Sequence, residues 1–433
     1  MPSDWDETSV SDLSVEGGAY GSGASALPYD PNLPRYVRIT DIRSDGRLNE
    51  KTHASIRRQD ADGHELKLGD LLFARSGATV GKTYLYRCED GPCAHAGYVI
   101  RFSINPVIAD SHYVFHWTQS SWFSQWVQGT LRQGAQPNIN ATEYGRHKVS
   151  LPPLPEQRLI AEILDTVDLA IRKTEAIIAK LGQVKQGLLH DLLTRGIDDN
   201  GELRDPDRHP EQFKDSPLGR IPKAWEATLV GSVVRQIEQG WSPDCESYPA
   251  SAGQWGVLRT TSVVWAGYQG AENKALPLAL KPRPEYEVKP NDVLMTRAGP
   301  NSRVGVVAFV TATRSRLILS DKLYRLLPSH DVLPNFLVRA LSGHHCQSHL
   351  STLKTGLAES QTNISKAIVR KLLIPVPPLQ EQWKIGDVLE SQNARFEREH
   401  TCLDKLRLLK QGLMDDLLTG RVRVTSLLQE AAT

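Results

Sequence analysis

The chain has 433 residues, which is too many for one hydrophobic core, so several domains are expected. The formal net charge of +1 excludes a strongly basic or acidic protein, although residues 31–150 carry 15 basic against 11 acidic residues and residues 215–375 carry 19 against 12. Five cysteines without a CxxC pair argue against a disulfide framework, and without a leader or an 18-residue apolar run the chain is predicted to be cytoplasmic, with no membrane partner.

The first body, residues 1–150, has the pattern of short strands joined by loops. Residues 36–42 (YVRITDI) alternate in polarity as a half-buried strand does. Residues 66–77 (LKLGDLLFARSG) indicate a turn, a buried strand and then a loop that begins at Arg75. A helix is predicted over residues 112–128, with three tryptophans more typical of core packing than of base stacking: Trp117, Trp122 and Trp126.

Residues 151–196 carry the most regular pattern of the chain. They open with LPPLPEQ and close near KQGLLHDLLT. Between these ends, positions spaced alternately four and three residues apart are mostly apolar. Such a seam predicts one helix of about 40 residues, about 60 Å long and suited to a coiled coil. Pro155 suits its first turn and Gly196 its C-terminal stop. The predicted seam residues are Ile160, Leu164, Val167, Ile171, Ile178, Leu181, Leu188 and Leu192.

A second body follows a polar connection. Residues 197–219 are rich in Asp, Arg and Pro and are predicted to be a linker. Residues 220–375 then repeat the order of the first body, with a strand pattern at 257–263 and a turn, strand and loop at 288–299 that contains Arg297. The shared skeleton and the different intervening residues indicate two copies of one α/β fold that read two different targets.

Residues 376–420 repeat the long helix. They open VPPLQEQ and close near KQGLMDDLLT, 225 positions after the first copy and without a gap. So long a period indicates a duplicated domain rather than a solenoid. Lys185 and Lys410 interrupt the two seams at matching places, and residues 421–433 remain as a tail. The predicted seam residues of this helix are Ile385, Leu389, Phe396, Leu403, Leu406, Leu413 and Leu417.

The two helices are predicted to pair with each other as an antiparallel coiled coil. The first helix leaves the first body and must end near the second, and the second helix starts where the second body ends, so connectivity makes the pair antiparallel. The predicted architecture is mixed α/β and pseudo-two-fold, and a two-fold scaffold can hold two identical partners. The alternative is that both helices are ordinary amphipathic helices buried in a globular core.

Two arginine loops are the candidate sites for nucleic acid. Arg75 and Arg297 follow equivalent strands and lead into loops with glycine, where a guanidinium can bind a guanine edge or a phosphate. The alternative is an ion pair that anchors each loop. Asn138 and Asn363 are predicted to be cap or turn residues. The predicted DNA-contacting residues are Arg75, Ser76, Lys82, Arg297, Asn301 and Arg303.

Two catalytic interpretations are weaker. Residues 77–83 (GATVGKT) approach a phosphate-binding loop, but the GxxxxGKT spacing requires glycine at the position of Ser76, so a loop near DNA phosphate or a solvated turn is favoured. Two Glu-x-Lys segments have the form of a metal-dependent nuclease without a preceding Pro-Asp partner, so exposed strand entrances are favoured: Glu65 with Lys67 and Glu287 with Lys289.

Metal binding and methyl transfer are not expected of this chain alone. Cys88, Cys93 and His95 suggest one corner of a metal site but lack a second ligand pair. The sequence contains no Asn/Asp-Pro-Pro-Tyr/Phe motif and no glycine-rich methyl-donor loop after a strand. The chain is therefore predicted to be non-catalytic, with no metal or cofactor of its own.

These patterns together resemble the specificity subunit of a type I restriction–modification system. Two variable α/β bodies alternate with helices that open Pro-Pro-Leu-x-Glu-Gln and end Lys-Gln-Gly-Leu-x-x-Asp-Leu-Leu-Thr, and the resemblance covers essentially the whole chain. Residues 38–42, 69–72 and 363–365 also fit the family pattern. Residues 17–20 (GGAY) depart from a more usual Gly-Gly-Thr-Pro, which leaves the first base-reading loop open.

The resemblance implies a division of labour. Each body would be a target-recognition domain for one half of a bipartite, asymmetric site in double-stranded DNA. The helices would set the spacing and dock two methyltransferase subunits, with restriction–translocase subunits in the same complex. S-adenosylmethionine, ATP and magnesium would bind those partner subunits. The alternatives are a stand-alone nuclease that uses the Glu-x-Lys pairs and a protein–protein scaffold without a DNA role.

Overall fold

The computed structural model of the chain describes residues 2–131, 137–354 and 362–430, so residues 431–433 of the predicted tail lie outside the described residues. The chain divides into two compact units: unit 1 comprises Met1–Ile177 and Glu399–Thr433, and unit 2 comprises Ile178–Arg398. Each unit contains one predicted body and part of each long helix. Within the described ranges, none of the helices combines the length and apolarity needed to cross a membrane.

The body of unit 1 consists of short strands and short helices. In chain order, its strands are β1 (Asp6–Ser9), β2 (Ala19–Tyr20), β3 (Leu27–Pro28), β4 (Arg35–Val37), β5 (Ala54–Ser55), β6 (Asp70–Ala74), β7 (Thr83–Leu85), β8 (Cys93–His95), β9 (Val99–Ser103) and β10 (Lys148–Leu151). Its short helices are α1 (Arg58–Ala61), α2 (Ser111–Thr118), α3 (Ser121–Thr130) and α4 (Ala141–Gly145).

The central sheet of unit 1 is antiparallel and has the strand order β2-β9-β6-β7. Strand β6 is buried along its whole length because its two faces pack on two different cores. Leu71 and Phe73 join the core formed with α2 and α3, whereas Leu72 and Ala74 join the core on the opposite face. A second sheet, β3-β5-β4-β8, lies beyond that face, and β4 pairs with β8 in parallel.

The single helix predicted over residues 112–128 is wrong, because the structure has two helices there. Ser120 accepts a hydrogen bond from the Phe123 backbone N–H (3.2 Å) and caps α3, so the chain turns between α2 and α3. The tryptophans pack as expected: Trp117 is 8% exposed, and its ring stacks on that of Trp122 at 6.1 Å between centroids.

The body of unit 2 repeats this plan with additional strands. Its strands are β11 (Phe213–Ser216), β12 (Gly219–Pro222), β13 (Glu226–Leu229), β14 (Val234–Gln239), β15 (Gly256–Leu258), β16 (Val263–Val264), β17 (Gly267–Tyr268), β18 (Asn273–Ala275), β19 (Val293–Thr296), β20 (Ala298–Gly299), β21 (Val307–Phe309), β22 (Leu317–Ile318), β23 (Leu323–Pro328), β24 (Thr362–Asn363) and β25 (Leu373–Val376).

The sheets of unit 2 match those of unit 1 in strand order. The antiparallel sheet β14-β23-β19-β21 corresponds to β2-β9-β6-β7, and the sheet β18-β15-β22 corresponds to β5-β4-β8, again with one parallel pair. The pairing of β13 with β25 corresponds to that of β1 with β10. The duplication predicted from the sequence therefore extends to strand topology.

The long helices are continuous. In chain order, the first is α5 (Leu154–Thr194), followed by the short helices α6 (Val230–Val233), α7 (Pro334–Ser342), α8 (His344–Leu353) and α9 (Lys366–Arg370), the second long helix α10 (Leu379–Leu417) and then α11 (Thr425–Glu430). Gly196 and Gly420 follow the ends of α5 and α10 with φ of 65° and 69°. A left-handed glycine at this place ends a helix, as the sequence predicted.

The two long helices run antiparallel to each other in each unit. In unit 1, Asp168 of α5 pairs with Lys410 of α10 and Glu175 pairs with Arg407, so residue numbers fall on one helix as they rise on the other. In unit 2, Leu192 shares a core with Ile385 and Leu389. The structure buries the following predicted seam residues: Ile160, Leu164, Ile171, Leu181, Leu192, Ile385, Leu389, Leu403 and Leu417. It half-buries the others: Val167, Ile178, Leu188, Phe396, Leu406 and Leu413.

The two lysines that interrupt the seams have different partners. The Lys410 ammonium lies 2.7 Å from a carboxylate oxygen of Asp168, and both side chains are mostly buried. Lys185 instead lies over the Phe396 ring, with Nζ 5.8 Å from its centroid. Asn393 stands 225 positions after Asp168, so the carboxylate of the first copy is an amide in the second.

The Glu-Gln pair that opens each long helix joins that helix to its surroundings. Gln157 accepts the Asp110 N–H (2.8 Å) at the start of α2, and Gln382 accepts the Leu333 N–H (2.9 Å) at the start of α7. Both amide groups also donate to the backbone of their own Pro-Pro segment at 2.8 Å. The motif therefore fixes each long helix to the helix that begins beside the central sheet.

In unit 2 the Glu381 carboxylate accepts four hydrogen bonds from three groups, because Arg204 donates two of them. They come from the Ile197 N–H (2.8 Å), the Trp225 indole (2.9 Å) and the Arg204 guanidinium. The segment predicted as a linker is thus packed against the start of α10, and Ile197 is buried.

Unit 1 has a corresponding arrangement. Arg423 pairs with Glu156 through two hydrogen bonds of 2.8 Å, and with Asp4 through two of 2.8 and 2.7 Å. Trp5 lies under the Arg423 guanidinium, as Trp225 lies beside Glu381 in unit 2. The tail predicted at 421–433 therefore connects the end of α10 to the start of α5.

Candidate nucleic-acid interface

The Arg75 loop connects β6 to β7 and is fixed at its first residue. The Arg75 N–H donates to the Tyr98 carbonyl (3.1 Å), and the Arg75 carbonyl accepts from Ile139 N–H (2.9 Å). Its side chain is held as well: Nε donates to the Asn138 side-chain oxygen (3.2 Å), and the guanidinium carbon lies 4.8 Å from the centre of the Tyr20 ring. The guanidinium is therefore preorganised at the end of the central sheet.

The Arg297 loop connects β19 to β21 in the same way. The Arg297 N–H donates to the Lys322 carbonyl (2.9 Å), and its carbonyl accepts from Ile364 N–H (2.9 Å). Its Nη2 donates to the Asn363 side-chain oxygen (3.0 Å). The backbone partners and the asparagine thus correspond to those of Arg75, and an aromatic ring, that of Tyr324, again lies beneath the guanidinium at 5.5 Å.

The two guanidiniums differ in the donors that they leave for a ligand. Arg75 uses only Nε within the described residues, so both terminal nitrogens remain without a hydrogen-bond partner there. Arg297 uses Nη1 for the Asp321 carbonyl (3.1 Å) and Nη2 for Asn363. Because each terminal nitrogen carries two hydrogens, Arg297 can still donate hydrogen bonds to a ligand, but in a different direction from Arg75.

An amide rather than a carboxylate holds each arginine. Neither Arg75 nor Arg297 lies within ion-pair distance of a carboxylate among the residues that the structure describes. Within the described ranges, an amide thus takes the place that the alternative of an anchoring ion pair gave to a carboxylate. An amide oxygen orients the guanidinium without neutralising it, so the positive charge stays available to an anion or a base edge.

The prediction that Asn138 and Asn363 are cap or turn residues is wrong. Asn138 forms a β-bridge with Ser76, and Asn363 pairs with Ala298 between β24 and β20. The caps lie two residues later, at Asn140 for α4 and Ser365 for α9. A bridge depends on a strand from another part of the chain, so local sequence gave no sign of it. The matching offset of the two asparagines was the available signal.

The remaining predicted residues lie in the same two loops. In the first, Ser76 is half-buried and Lys82 is half-buried, with no hydrogen-bond partner for its ammonium among the described residues. In the second, Asn301 is exposed and its carbonyl accepts from Lys354 Nζ (3.0 Å), while Arg303 is half-buried. The structure thus brings the six predicted residues into two equivalent hairpin loops, three in each unit. Sequence reasoning missed the tyrosines beneath the guanidiniums.

The geometry around residues 77–83 does not suit nucleotide binding. Thr83, which would contact the metal ion in a phosphate-binding loop, is fully buried and hydrogen-bonded to Thr118 and Gln119 at 2.7 Å each. The Gly81 N–H, which would cradle a phosphate, donates to the Tyr144 hydroxyl (3.0 Å). These groups are occupied within the fold.

The residues of the other enzymatic interpretations are placed as follows. Among the described residues, the one group of three or more side chains placed to hold a metal ion is His116, Asp165 and Asp168, so neither Glu65 nor Glu287 belongs to such a group. The Cys93 thiol is buried, which raises its pKa to about 12, and burial lowers the pKa of His95 to about 4. Cys88, by contrast, is exposed.

Both carboxylates of the group around His116 are paired with neighbouring cationic or imidazole side chains. His116 Nε2 and His112 Nδ1 bind the two oxygens of Asp165 at 2.9 and 2.7 Å, and Asp168 pairs with Lys410. The carboxylate raises the pKa of His112, whereas desolvation lowers the pKa of the fully buried His116. The arrangement connects α2 to both long helices within unit 1, which gives it a structural role.

Comparison with known proteins identifies the family. The family model described as "type I restriction modification DNA specificity domain" matches residues 2–183 and 260–407. The chain belongs to this family. Its two matched segments begin in the two bodies and continue into the two long helices, in agreement with the duplication in the fold.

Relatives and solved structures agree with this membership. The type I restriction enzyme EcoEI specificity subunit of Escherichia coli is 38% identical over 192 residues, which is 44% of this chain and 32% of that subunit. The chain therefore spans about a third of that relative's length. The MjaVIII specificity subunit of Methanocaldococcus jannaschii is 25% identical over 372 residues, covering 83% of this chain and 80% of the relative.

Two solved structures share the fold of this family member. A chain from a structure on complex assembly and conformational transition of the type I R-M system superposes with a TM-score of 0.57 at 18% identity, covering 96% of this chain and 98% of the other. The S subunit of a type I restriction–modification system from M. genitalium gives a TM-score of 0.56 at 13% identity, covering 95% and 96%. At these identities the likeness concerns the fold alone.

Proposed function

We propose that this chain is the DNA sequence-specificity subunit of a type I restriction–modification complex. Each unit reads one half of a bipartite, asymmetric site in double-stranded DNA. The paired long helices fix the separation of the half-sites and dock two methyltransferase subunits, and restriction–translocase subunits join the same complex. The chain performs no chemistry itself, and S-adenosylmethionine, ATP and magnesium bind the partner subunits.

The observation that carries this proposal is the pair of equivalent arginine loops. Arg75 and Arg297 occupy the same place in two copies of one fold, and an asparagine and a tyrosine orient each of them. Arginine is the side chain most suited to reading guanine through two hydrogen bonds. Because the loops differ in length, sequence and free donors, the two half-sites are expected to differ in sequence.

In this proposal six residues contact DNA. Arg75, Ser76 and Lys82 contact the first half-site, and Arg297, Asn301 and Arg303 contact the second. The helix seams support the spacing role, because apolar residues at heptad positions are buried between α5 and α10 in each unit. A rigid helix pair keeps a fixed distance between readers, which a flexible linker cannot do.

Methylation mapping in a bacterial host tests the proposal. The chain is expressed with methyltransferase and restriction subunits of a type I system, and modified adenines are mapped by single-molecule sequencing. The expected result is a split motif with modified adenines on opposite strands. Exchange of residues 1–150 for those of a relative should change one half of that motif and leave the other half and the spacer length unchanged.

Two controls separate the alternatives. The purified chain incubated with plasmid DNA and magnesium should not cleave it, whereas a stand-alone nuclease would, and would lose activity on substitution of Glu65. A scaffold without a DNA role would give no salt-dependent shift of duplex DNA. A continuous, unsplit methylation motif would also contradict the proposal.

A further inference from the structure

A polar cavity of about 380 Å³ lies in unit 2 next to the Arg297 loop. Its wall includes the end of β15, strand β18 and the segment before β23. The Lys322 carbonyl accepts the Arg297 N–H at 2.9 Å, so the cavity and the arginine loop share a wall. Besides the hydroxyl groups of Ser242, Thr260 and Thr261, the lining has hydrogen-bond donors on Arg259, Lys274, Ser320 and Lys322.

Two of these donors are buried and have no partner. Arg259 donates from Nη2 to the Ser247 carbonyl (2.8 Å), but its Nε is buried without a hydrogen-bond acceptor among the described residues. The Ser320 hydroxyl is likewise unpartnered there, in a residue that is 5% exposed. Both atoms are enclosed by the protein and carry a desolvation cost, whereas Arg259 Nη1 also has no hydrogen-bond partner among the described residues and is not enclosed.

The charge of the lining is positive. The ammonium groups of Lys274 and Lys322 have no ion-pair or hydrogen-bond partner among the described residues, and both side chains are exposed. The one carboxylate of the lining, Glu272, accepts a hydrogen bond from the Thr261 hydroxyl. Three cations therefore face one acid, and the cavity is suited to an anion.

The duplication shows why Arg259 is available. Its counterpart in unit 1, Arg38, donates to both oxygens of Asp41 (2.9 and 3.0 Å) and to the Thr52 carbonyl (2.7 Å). In the second copy Ser262 stands in the place of Asp41, and its hydroxyl donates to the Arg259 carbonyl (2.7 Å) instead. The loss of one carboxylate leaves the second guanidinium with unused donors.

The other lining donors are also specific to unit 2. Ala96 and Tyr98 precede β9 where Ser320 and Lys322 precede β23. Strand β5, which pairs with β4 as β18 pairs with β15, carries Ala54 and Ser55 and no charge. The two lysines of this lining therefore have no cationic counterpart at the matching positions of the first copy.

We propose that this cavity binds one phosphate of the DNA backbone beside the base pairs that the Arg297 loop reads, an inference that rests on the proposed DNA-reading function. A phosphate protrudes from the duplex and fits a concave site, whereas base edges lie in the grooves and require a protruding side chain. The lining offers three cationic donor groups against one carboxylate, which suits phosphate oxygens. Unit 2 thus has a backbone contact that fixes register beside the second half-site.

The test measures duplex binding by the full-length chain as a function of salt. The duplex carries the split motif found by methylation mapping, and the variants are Arg259→Gln and the exposed Lys322→Gln. Each should weaken binding about tenfold, equally for the cognate duplex and for one with a changed second half-site, and should lower the slope of log K against log salt by about 0.9. Lys223→Gln, an exposed site elsewhere in unit 2, removes the same charge and should do neither.

Single methylphosphonate substitutions, which neutralise one phosphate each, locate the contact. One such substitution should weaken binding by the wild-type chain about tenfold and have no further effect on Arg259→Gln. Ser262→Asp, which restores the carboxylate found in the first copy, should reproduce the loss, whereas Ser262→Ala should not. Inorganic phosphate at constant ionic strength should not compete at millimolar concentration.

Three results would overturn the inference while leaving the proposed function intact. Arg259→Gln could relax specificity at one base pair with an unchanged salt slope, which would make Arg259 a base reader. Inorganic phosphate could displace DNA in an Arg259-dependent way with no sensitive methylphosphonate position, which would assign a free anion. Unchanged binding by both Gln variants would remove the site altogether. Failure of the wild-type chain to bind any duplex would instead contradict the proposed function.

Discussion

Arg75 donates a hydrogen bond from Nε to the side-chain oxygen of Asn138, 63 residues further along the chain, at 3.2 Å. In the second unit Arg297 donates to the side-chain oxygen of Asn363 at 3.0 Å, from Nη2 rather than Nε. An amide fixes the direction of a guanidinium and leaves its charge intact, whereas a carboxylate would neutralise it. The fold thus prepares two oriented cations at equivalent places, and this feature leads to the first two predictions.

Arg75→Ala and Arg297→Ala should each relax one half of the recognition site. A bidentate arginine contact to guanine contributes about 1–3 kcal/mol of discrimination, so each variant should tolerate substitutions at one position or two of its own half-site. The measurement is methylation mapping or selection of bound duplexes from a random library. Arg208→Ala, an exposed arginine outside the loops, is the control. Relaxation of the same half-site by both variants would contradict the assignment.

Asn138→Asp should weaken DNA binding without loss of stability. The substitution keeps the shape of the side chain but adds a carboxylate beside Arg75, so an ion pair would compete with the ligand for the guanidinium. We expect about tenfold lower affinity, measured by fluorescence anisotropy, and an unchanged midpoint of thermal unfolding. Asn363→Asp is the matched variant in unit 2. Equal affinity of both variants and the wild type would show that the arginines do not contact DNA.

Glu381→Gln should destabilise the chain more than Glu156→Gln does. Glu381 is 7% exposed and serves Arg204, the Ile197 N–H and the Trp225 indole, so loss of its charge leaves buried donors without an ionic acceptor. The expected cost is about 2–4 kcal/mol, measured by urea denaturation. Arg423 retains Asp4 when Glu156 is replaced, so that cost should be about 1 kcal/mol. A larger loss of stability for Glu156→Gln than for Glu381→Gln would contradict this prediction.

Acidification should destabilise unit 1 through its buried histidines. Burial lowers the pKa of His95 and of His147 to about 4 from an ordinary 6.5. The unfolded chain therefore takes up protons near pH 6.5 and the folded chain only near pH 4, so stability is full above pH 6.5 and falls as the pH falls toward 4. Each group contributes up to about 3 kcal/mol across that window.

The measurement is urea denaturation between pH 7.5 and pH 5. His147→Gln preserves an acceptor for the Trp117 indole, which donates to His147 Nε2 at 3.2 Å, and should flatten the pH dependence. His209→Gln changes an exposed histidine in unit 2 and serves as the control. An identical pH dependence of wild type and His147→Gln would refute the prediction.

The ion pair between Lys410 and Asp168 should matter more than the neighbouring pair of Arg407 and Glu175. The first pair has side chains 17% and 22% exposed, and the second 56% and 27%. A double-mutant cycle with Lys410→Met and Asp168→Asn should give a coupling energy of about 1–3 kcal/mol, against less than about 1 kcal/mol for Arg407→Met and Glu175→Gln. Since hydrophobic replacement of buried pairs is often tolerated, Lys410→Met with Asp168→Leu should restore most of the stability.

Particular residues show how far sequence reasoning reached. The ends of the long helices were predictable because Pro155, Gly196 and Gly420 act locally, through a fixed φ or a left-handed backbone. The break between α2 and α3 was missed, although Ser120 has the side chain of an N-cap, because the apolar pattern continues through it. The roles of Asn138 and Asn363 could not be predicted, since each depends on a bridge to a distant strand.

The sequence by itself determined the duplication, the helical seams and the equivalence of the Arg75 and Arg297 loops, because periodicity and repeat offsets are properties of the linear chain. Only the tertiary structure decided which charged side chains are paired and which keep donors for a ligand. Arg38 and Arg259 belong to corresponding segments, yet one is saturated by Asp41 and the other lines an unsatisfied cavity. Hydrogen bonding depends on distances of about 3 Å between groups brought together by folding, and such distances cannot be read from spacing along the chain.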